Sequence, residues 1–288
     1  MFSFRIKYLK YFIILLIAPI SLLGQNVMNE RQFDYTLTSV DGHNGGFVWK
    51  MKKADEVNVR PEDISTHQIS LEDWLPAIVP GTVLNSLVYN KIYPEPYYGL
   101  NNKLESNLIP DIYHIGRDFY TYWFRTEFTL DKNACKNKKI WLQVDGINYR
   151  AEIWLNGSMI GSMTGMFQQQ TIEITDKASF DRDNVLAVKV YPVNAPGTIK
   201  PKGNKSFGAT GEFQNGGNGE IGKNVTQLMT VGWDFTYLDG IRDRNTGIWR
   251  DISIFTTGQA KLSHPFVKSD IAKPTYDIAR QTVSVEVS

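Results

Sequence analysis

Phe119-Tyr120-Thr121-Tyr122-Trp123-Phe124-Arg125-Thr126-Glu127-Phe128-Thr129-Leu130 is the stretch that decides the fold class. Tyr120, Tyr122, Phe124, Thr126, Phe128 and Leu130 alternate with Thr121, Trp123, Arg125 and Glu127. A period of two places one set on each face of an extended chain and predicts a half-buried strand. Working outward, the same period returns in Ile140, Leu142 and Val144, in Ala151, Ile153 and Leu155, in Leu186, Val188 and Val190, and in Ile252 and Ile254. Between two of these runs stands Asn156-Gly157, a pair that tolerates positive φ and so predicts a tight hairpin into Ser158-Met159-Ile160. Many short strands joined by Gly, Asn and Asp turns, without long helical periods between them, predict an all-β chain folded as a jelly-roll β-sandwich.

One short helix is expected. Thr82 can cap it after Pro80-Gly81, and Val83, Leu84, Leu87 and Val88 supply an apolar face for docking on the sandwich. Asn194 to Asn224 differs in kind: it holds eight glycines and few large apolar side chains. That composition predicts a long loop, and loops of such length in a compact domain commonly carry function. The sandwich should close near Thr257-Gly258, giving a domain over 25–258. Pro265-Phe266-Val267 and Thr282 to Val287 then read as the opening strands of a second β domain over 259–288, broken off in mid-pattern at Ser288.

At the N-terminus, Arg5, Lys7 and Lys10 precede an apolar run from Tyr11 to Leu23. It is short for a membrane span and has the flanks of a secretory signal, so residues 1–24 are expected to be a leader, and the protein to be secreted or periplasmic with no stable membrane insertion. The single cysteine, Cys135, rules out an intrachain disulfide framework, which leaves stability to packing. With 31 basic against 30 acidic side chains the net charge is +1, and no basic run interleaved with aromatics appears. Nucleic acid is therefore not an expected partner. His43, His67, His114 and His264 lack the short spacings of a zinc site, so neither a metal nor another cofactor is expected. Gly216-Gly217-Asn218-Gly219 lacks the strand–turn–helix setting of a nucleotide loop. Aromatic residues make up 12% of the chain, with 7 Trp and 14 Tyr. Such rings suit the apolar C–H faces of a sugar, although most of them belong to the core.

Three blocks carry a resemblance. They are Val79-Pro80-Gly81-Thr82 running on to Tyr93-Pro94-Glu95-Pro96-Tyr97-Tyr98-Gly99-Leu100-Asn101, then Tyr122 to Phe128, then Gly232-Trp233-Asp234-Phe235 with Asp243-Arg244-Asn245-Thr246-Gly247-Ile248-Trp249. In this order, over roughly 74 to 258, they resemble the galactose-binding-like N-terminal domain of glycoside hydrolase family two. The likeness is to its exo-β-glucosaminidase, mannosylglycoprotein endo-β-mannosidase and β-mannosidase branches. Phe235 stands where the family often has a second Trp.

The resemblance implies that the next units would be an immunoglobulin-like domain and a (β/α)8 barrel, and that the barrel holds the two catalytic carboxylates. No catalytic residue is therefore nominated here, and the fragment alone is expected to be inactive. By resemblance, Asp234 accepts hydrogen bonds from sugar hydroxyls, Trp233 lines the same wall, and Asn101 contacts the same subsite. The expected partners are a β-linked oligosaccharide and the catalytic barrel. A stand-alone carbohydrate-binding module and a non-catalytic β-sandwich interaction protein remain the alternatives. Arg242, Asp243, Arg244 and Asn245 read as a charged turn and Trp249 as packing. Sequons stand at Asn156, Asn204 and Asn224, the first already explained by its turn.

Overall fold

A computed structural model describes residues 2–6, 34–39, 47–101, 106–110, 117–192, 246–275 and 278–288. The chain divides into two compact units, one made of Tyr35–Lys132 with Trp141–Ile254, the other of Met1–Asp34, Asn133–Ile140 and Phe255–Ser288.

The larger unit is built on a six-stranded sheet. Its order is β4 (Leu75–Ala77), β3 (Trp49–Lys53), β5 (Tyr122–Phe128), β10 (Asn184–Tyr191), β7 (Arg150–Leu155) and β8 (Ser158–Thr164). A second sheet runs β2 (Asp34–Thr36), β11 (Ile252–Thr257), β6 (Lys139–Val144) and β9 (Gln170–Glu173). The alternating sets predicted to point inward do so: Phe124, Leu186, Val188, Val190, Ile153, Leu155, Val144, Ile252 and Ile254 are fully buried. Antiparallel register lines up Met51, Phe124, Val188 and Ile153 as one apolar row across four strands. The architecture is the all-β sandwich that the period of two requires.

Two details depart from the strand reading. Phe119 and Tyr120 lie in a 3-10 turn, Arg117–Tyr120, so the strand begins only at Tyr122. The strand is also not half-buried: Trp123, Arg125 and Thr121 are as enclosed as their neighbours on the opposite face. The cover comes from Ala54 to Trp74, which carries little regular structure and packs Ile64, Ile69, Leu71 and Trp74 against Trp123, Trp154 and Ala187. Arg125 fastens it, donating from Nε to Ile64 O at 3.1 Å and from Nη2 to Thr66 O at 3.0 Å while pairing with Glu127 at 2.7 Å. A charged side chain on an alternating strand reads as solvent-facing from sequence. Here its hydrogen bonds satisfy a segment that would otherwise bury bare carbonyls.

The Asn156-Gly157 hairpin forms between β7 and β8, with φ of 50° and 85°. The Asn156 side chain also ties the turn down, donating to Lys177 O and Asn184 Oδ1, each at 2.8 Å, and accepting from Val185 N at 2.9 Å. The long loop expected over Asn194 to Asn224 lies outside the described residues, as do Asn204 and Asn224.

In the smaller unit, β12 (Leu262–Ile271) pairs with β13 (Ala279–Val287), and β13 pairs on its other edge with β1 (Phe2–Ile6). Strands therefore form where Pro265-Phe266-Val267 and Thr282 to Val287 predicted them. The remainder of the expected leader, Met1 and residues 7–24, falls outside the described residues. Among the described residues no helix is long and apolar enough to cross a membrane.

Candidate functional site: a cleft beside Trp249

The expected helix is present as Val83–Tyr89, and Thr82 Oγ1 accepts from Asn85 N at 2.9 Å, the N-cap contact that its residue type predicts. Val83, Leu84 and Leu87 are buried, and so is Ser86, whose Oγ accepts from Ile78 N at 3.0 Å. This helix start is pinned from a distant part of the chain: Gly81 N donates to Ile248 O at 2.7 Å and Val83 N to Thr246 O at 2.8 Å. Gly247 permits the crossing, because a Cβ there would lie 2.6 Å from Thr82 Cα and closer still to Gly81 O.

After the helix, Tyr93 to Asn101 folds into a self-braced turn. Tyr98 N donates to Glu95 O at 3.2 Å, Asn101 N to Tyr98 O at 3.2 Å, and the Asn101 side-chain amide to Glu95 O at 2.9 Å. Ser106 Oγ in turn donates to Asn101 O at 3.1 Å. Gly99 supplies the positive φ of 57° that closes the turn. The brace holds Tyr97, Tyr98 and Leu100 outward at 68%, 77% and 69% exposure. The brace fixes the backbone of the turn, so the position from which these side chains project is set before any ligand arrives.

Trp249 forms the third wall. Its Nε1 donates to Met166 O at 2.8 Å, Phe167 meets it edge-on at 5.6 Å, and the Arg250 guanidinium sits 5.4 Å above its ring. Gly146 makes room for the indole, since a Cβ there would come within 2.8 Å of Nε1. Trp249 packs on Tyr149 and Met166, in keeping with the packing role read from sequence. It also lines an open cleft of about 350 Å³ together with Thr82, Asn85, Val88, Glu95 and Tyr97. The cleft offers a hydroxyl, an amide and a carboxylate around aromatic and aliphatic walls, the mix of a site for a polyhydroxylated ligand.

Of the expected site residues, Asn101 is at the base of the turn that presents Tyr97, with its amide N–H engaged in the brace. Trp233 and Asp234 lie outside the described residues, as do Phe235 and the charged turn Arg242 to Asn245. The chain re-enters the described region at Thr246, directly on the cleft's Gly81–Ile248 crossing. Asn85, Glu95 and Tyr97 were not singled out from sequence. The available signal was the proline-flanked Pro94-Glu95-Pro96-Tyr97-Tyr98 run, whose rings have no period that would bury them. Among the described residues, no group of three or more His, Cys, Asp or Glu side chains could hold a metal ion.

Residues 49–250 match the family described as glycosyl hydrolase 2 galactose-binding domain-like. A mannosylglycoprotein endo-β-mannosidase of Lilium longiflorum is 43% identical over 190 residues, which is 66% of this chain and 18% of that protein. An exo-β-D-glucosaminidase of Hypocrea jecorina is 27% identical over 277 residues, 92% of this chain and 26% of that protein. The chain thus spans roughly a fifth to a quarter of the length of these relatives. In fold it is similar to the exo-chitosanase of Amycolatopsis orientalis, with a TM-score of 0.58 at 19% identity over 88% of this chain and 24% of that one. With the family pattern covering most of the strands and the whole cleft, the chain belongs to glycoside hydrolase family 2 and carries its galactose-binding-like domain.

Proposed function

We propose that this domain forms part of the sugar-binding wall of a secreted or periplasmic glycosidase that cleaves β-linked mannose or glucosamine units. The observation that carries the reading is the open cleft that Tyr97, Glu95, Asn85 and Trp249 line together. Aromatic faces take up the C–H side of a pyranose, and a carboxylate accepts from its hydroxyls more strongly than a neutral group does. By the family resemblance, Asp234 and Trp233 add a second acceptor and ring to the same subsite. Bond cleavage itself belongs to a carboxylate pair in a (β/α)8 barrel, one acid protonating the leaving oxygen and the other attacking the anomeric carbon.

The test is a paired measurement on the enzyme that carries this domain. Asp234→Ala should lower kcat/KM roughly ten- to a hundredfold, the cost of unpairing hydroxyls from a charged acceptor, with little change in Tm. Tyr97→Ala should act in the same direction, since that ring is exposed and supports no core. A fall in Tm with unchanged kcat/KM would reduce Asp234 to a turn residue and defeat the proposal. The chain by itself should hydrolyse no aryl β-mannoside or β-glucosaminide, and turnover that survives repeated chromatography would contradict the assignment of the chemistry to the barrel.

A further inference from the structure

The Ala54 to Trp74 segment does more than cover the sheet. Along its outer side lies a second open cleft of about 380 Å³, sharing no lining residue with the one beside Trp249. Its apolar surface is built from Val57, Ile69 and the exposed Val59, over the buried Trp74 of the cluster beneath the segment. Its rim carries Glu56, Asn58 and Gln68, all exposed, whose side chains make no hydrogen bond among the described residues. Lys52 and Asp73, also on the rim, are spent on each other in an ion pair that holds Asp73 below the usual carboxylate range. The walls are fixed from below by Arg125 on Ile64 O and Thr66 O, and by Gly157 N on Ser65 Oγ at 2.9 Å.

From this juxtaposition of an apolar floor, two free amides and an unpaired carboxylate on a fastened segment, we infer an ancillary binding site for an oligosaccharide bearing no negative charge. Amide side chains both donate and accept, so adjacent hydroxyls of one sugar can bond to a single Asn or Gln. The floor takes the C–H face of the ring. With the Lys52–Asp73 pair neutral, Glu56 leaves the rim with a net negative charge, which repels uronic acids and favours neutral or amino sugars. The site would hold a polymer at the domain surface while the cleft beside Trp249 handles a chain end, and it does not depend on the latter's assignment.

The experiment is a titration of the full chain, isotopically labelled, with a glucosamine hexamer, a mannose hexamer and a galacturonate hexamer, followed by NMR. The amide side-chain signals of Asn58 and Gln68 and the Trp74 indole should shift with the first, the second or both, and remain still with galacturonate. Asn58→Ala combined with Gln68→Ala, and separately Glu56→Gln, should weaken binding at this site about tenfold or more, with unchanged Tm because the altered groups are exposed. Tyr97→Ala should leave these shifts intact. Shifts confined to Tyr97 and Trp249 would leave the cleft reading standing and refute the ancillary site. Silence from Asn58, Gln68 and Trp74 at millimolar sugar, or equal binding of galacturonate, would refute it as well.

Discussion

Both faces of β5 are covered over most of their length, up to the half-exposed Glu127, and they are covered by different means. On one, Phe124 sits in a row with Met51, Val188 and Ile153, all fully buried and all supplied by strands of the same sheet. On the other, the row Lys50, Arg125, Ala187 and Trp154 carries polar and aromatic groups, and the cover is the irregular segment Ala54 to Trp74, far upstream of β5. The first face is closed by area removed from water and would tolerate any well-fitting apolar set. The second is closed by a few directed hydrogen bonds and three tryptophans, Trp74, Trp123 and Trp154, so it depends on particular atoms. That difference also bears on where the clefts lie: one is lined largely by the irregular Ala54 to Trp74 segment and the other partly by the Tyr93 to Asn101 turn, since backbone that is not paired in a sheet can be aimed, provided something fastens it.

Phe124→Ala attacks the first face and should give the largest loss, about 3–5 kcal/mol of unfolding free energy, because the surrounding strands cannot collapse into the space. Urea unfolding measures it, and a cost under about 1 kcal/mol would mean that the row is loosely packed. Arg125→Met attacks the second. It leaves Ile64 O and Thr66 O without their donor, at about 1–3 kcal/mol. Proteolysis within Ala54 to Trp74 should quicken while Tyr122 to Phe128 stays protected. Arg125→Lys should not restore protection, since one ammonium cannot reproduce the planar fork. Uniform loss across both faces would erase the distinction between them. Thr82→Ala removes the helix cap at the Trp249 cleft and should cost about 1 kcal/mol, read as a small drop in Tm.

The smallest effect near neutrality concerns pH. Burial, with lesser contributions from Tyr93, Glu56 and Asp55, pushes the Tyr122 phenol well above its usual value. A raised phenol favours the neutral form in the folded protein. Its contribution is therefore fully present below pH about 10 and is lost as the pH climbs toward the folded value. Tm should fall above pH about 10, and less steeply in Tyr122→Phe. Superimposable profiles for the two proteins would place the titration elsewhere.

What could be read from the chain alone was whatever is local or periodic. The period of two in Leu186, Val188 and Val190, the Asn156-Gly157 turn and the Thr82 cap each depend on a few consecutive residues, and each is found as expected. The family likeness was legible for the same reason, as short blocks in a fixed order. What only the tertiary structure decided was contact between segments far apart. Arg125 looked solvent-facing until Ile64 and Thr66 arrived above it, and Trp249, which packs as its sequence suggested, also lines a cleft with Tyr97. A side chain's burial depends on what the rest of the chain brings to it, and a single strand's alternation reports only which residues share a face, never what covers that face.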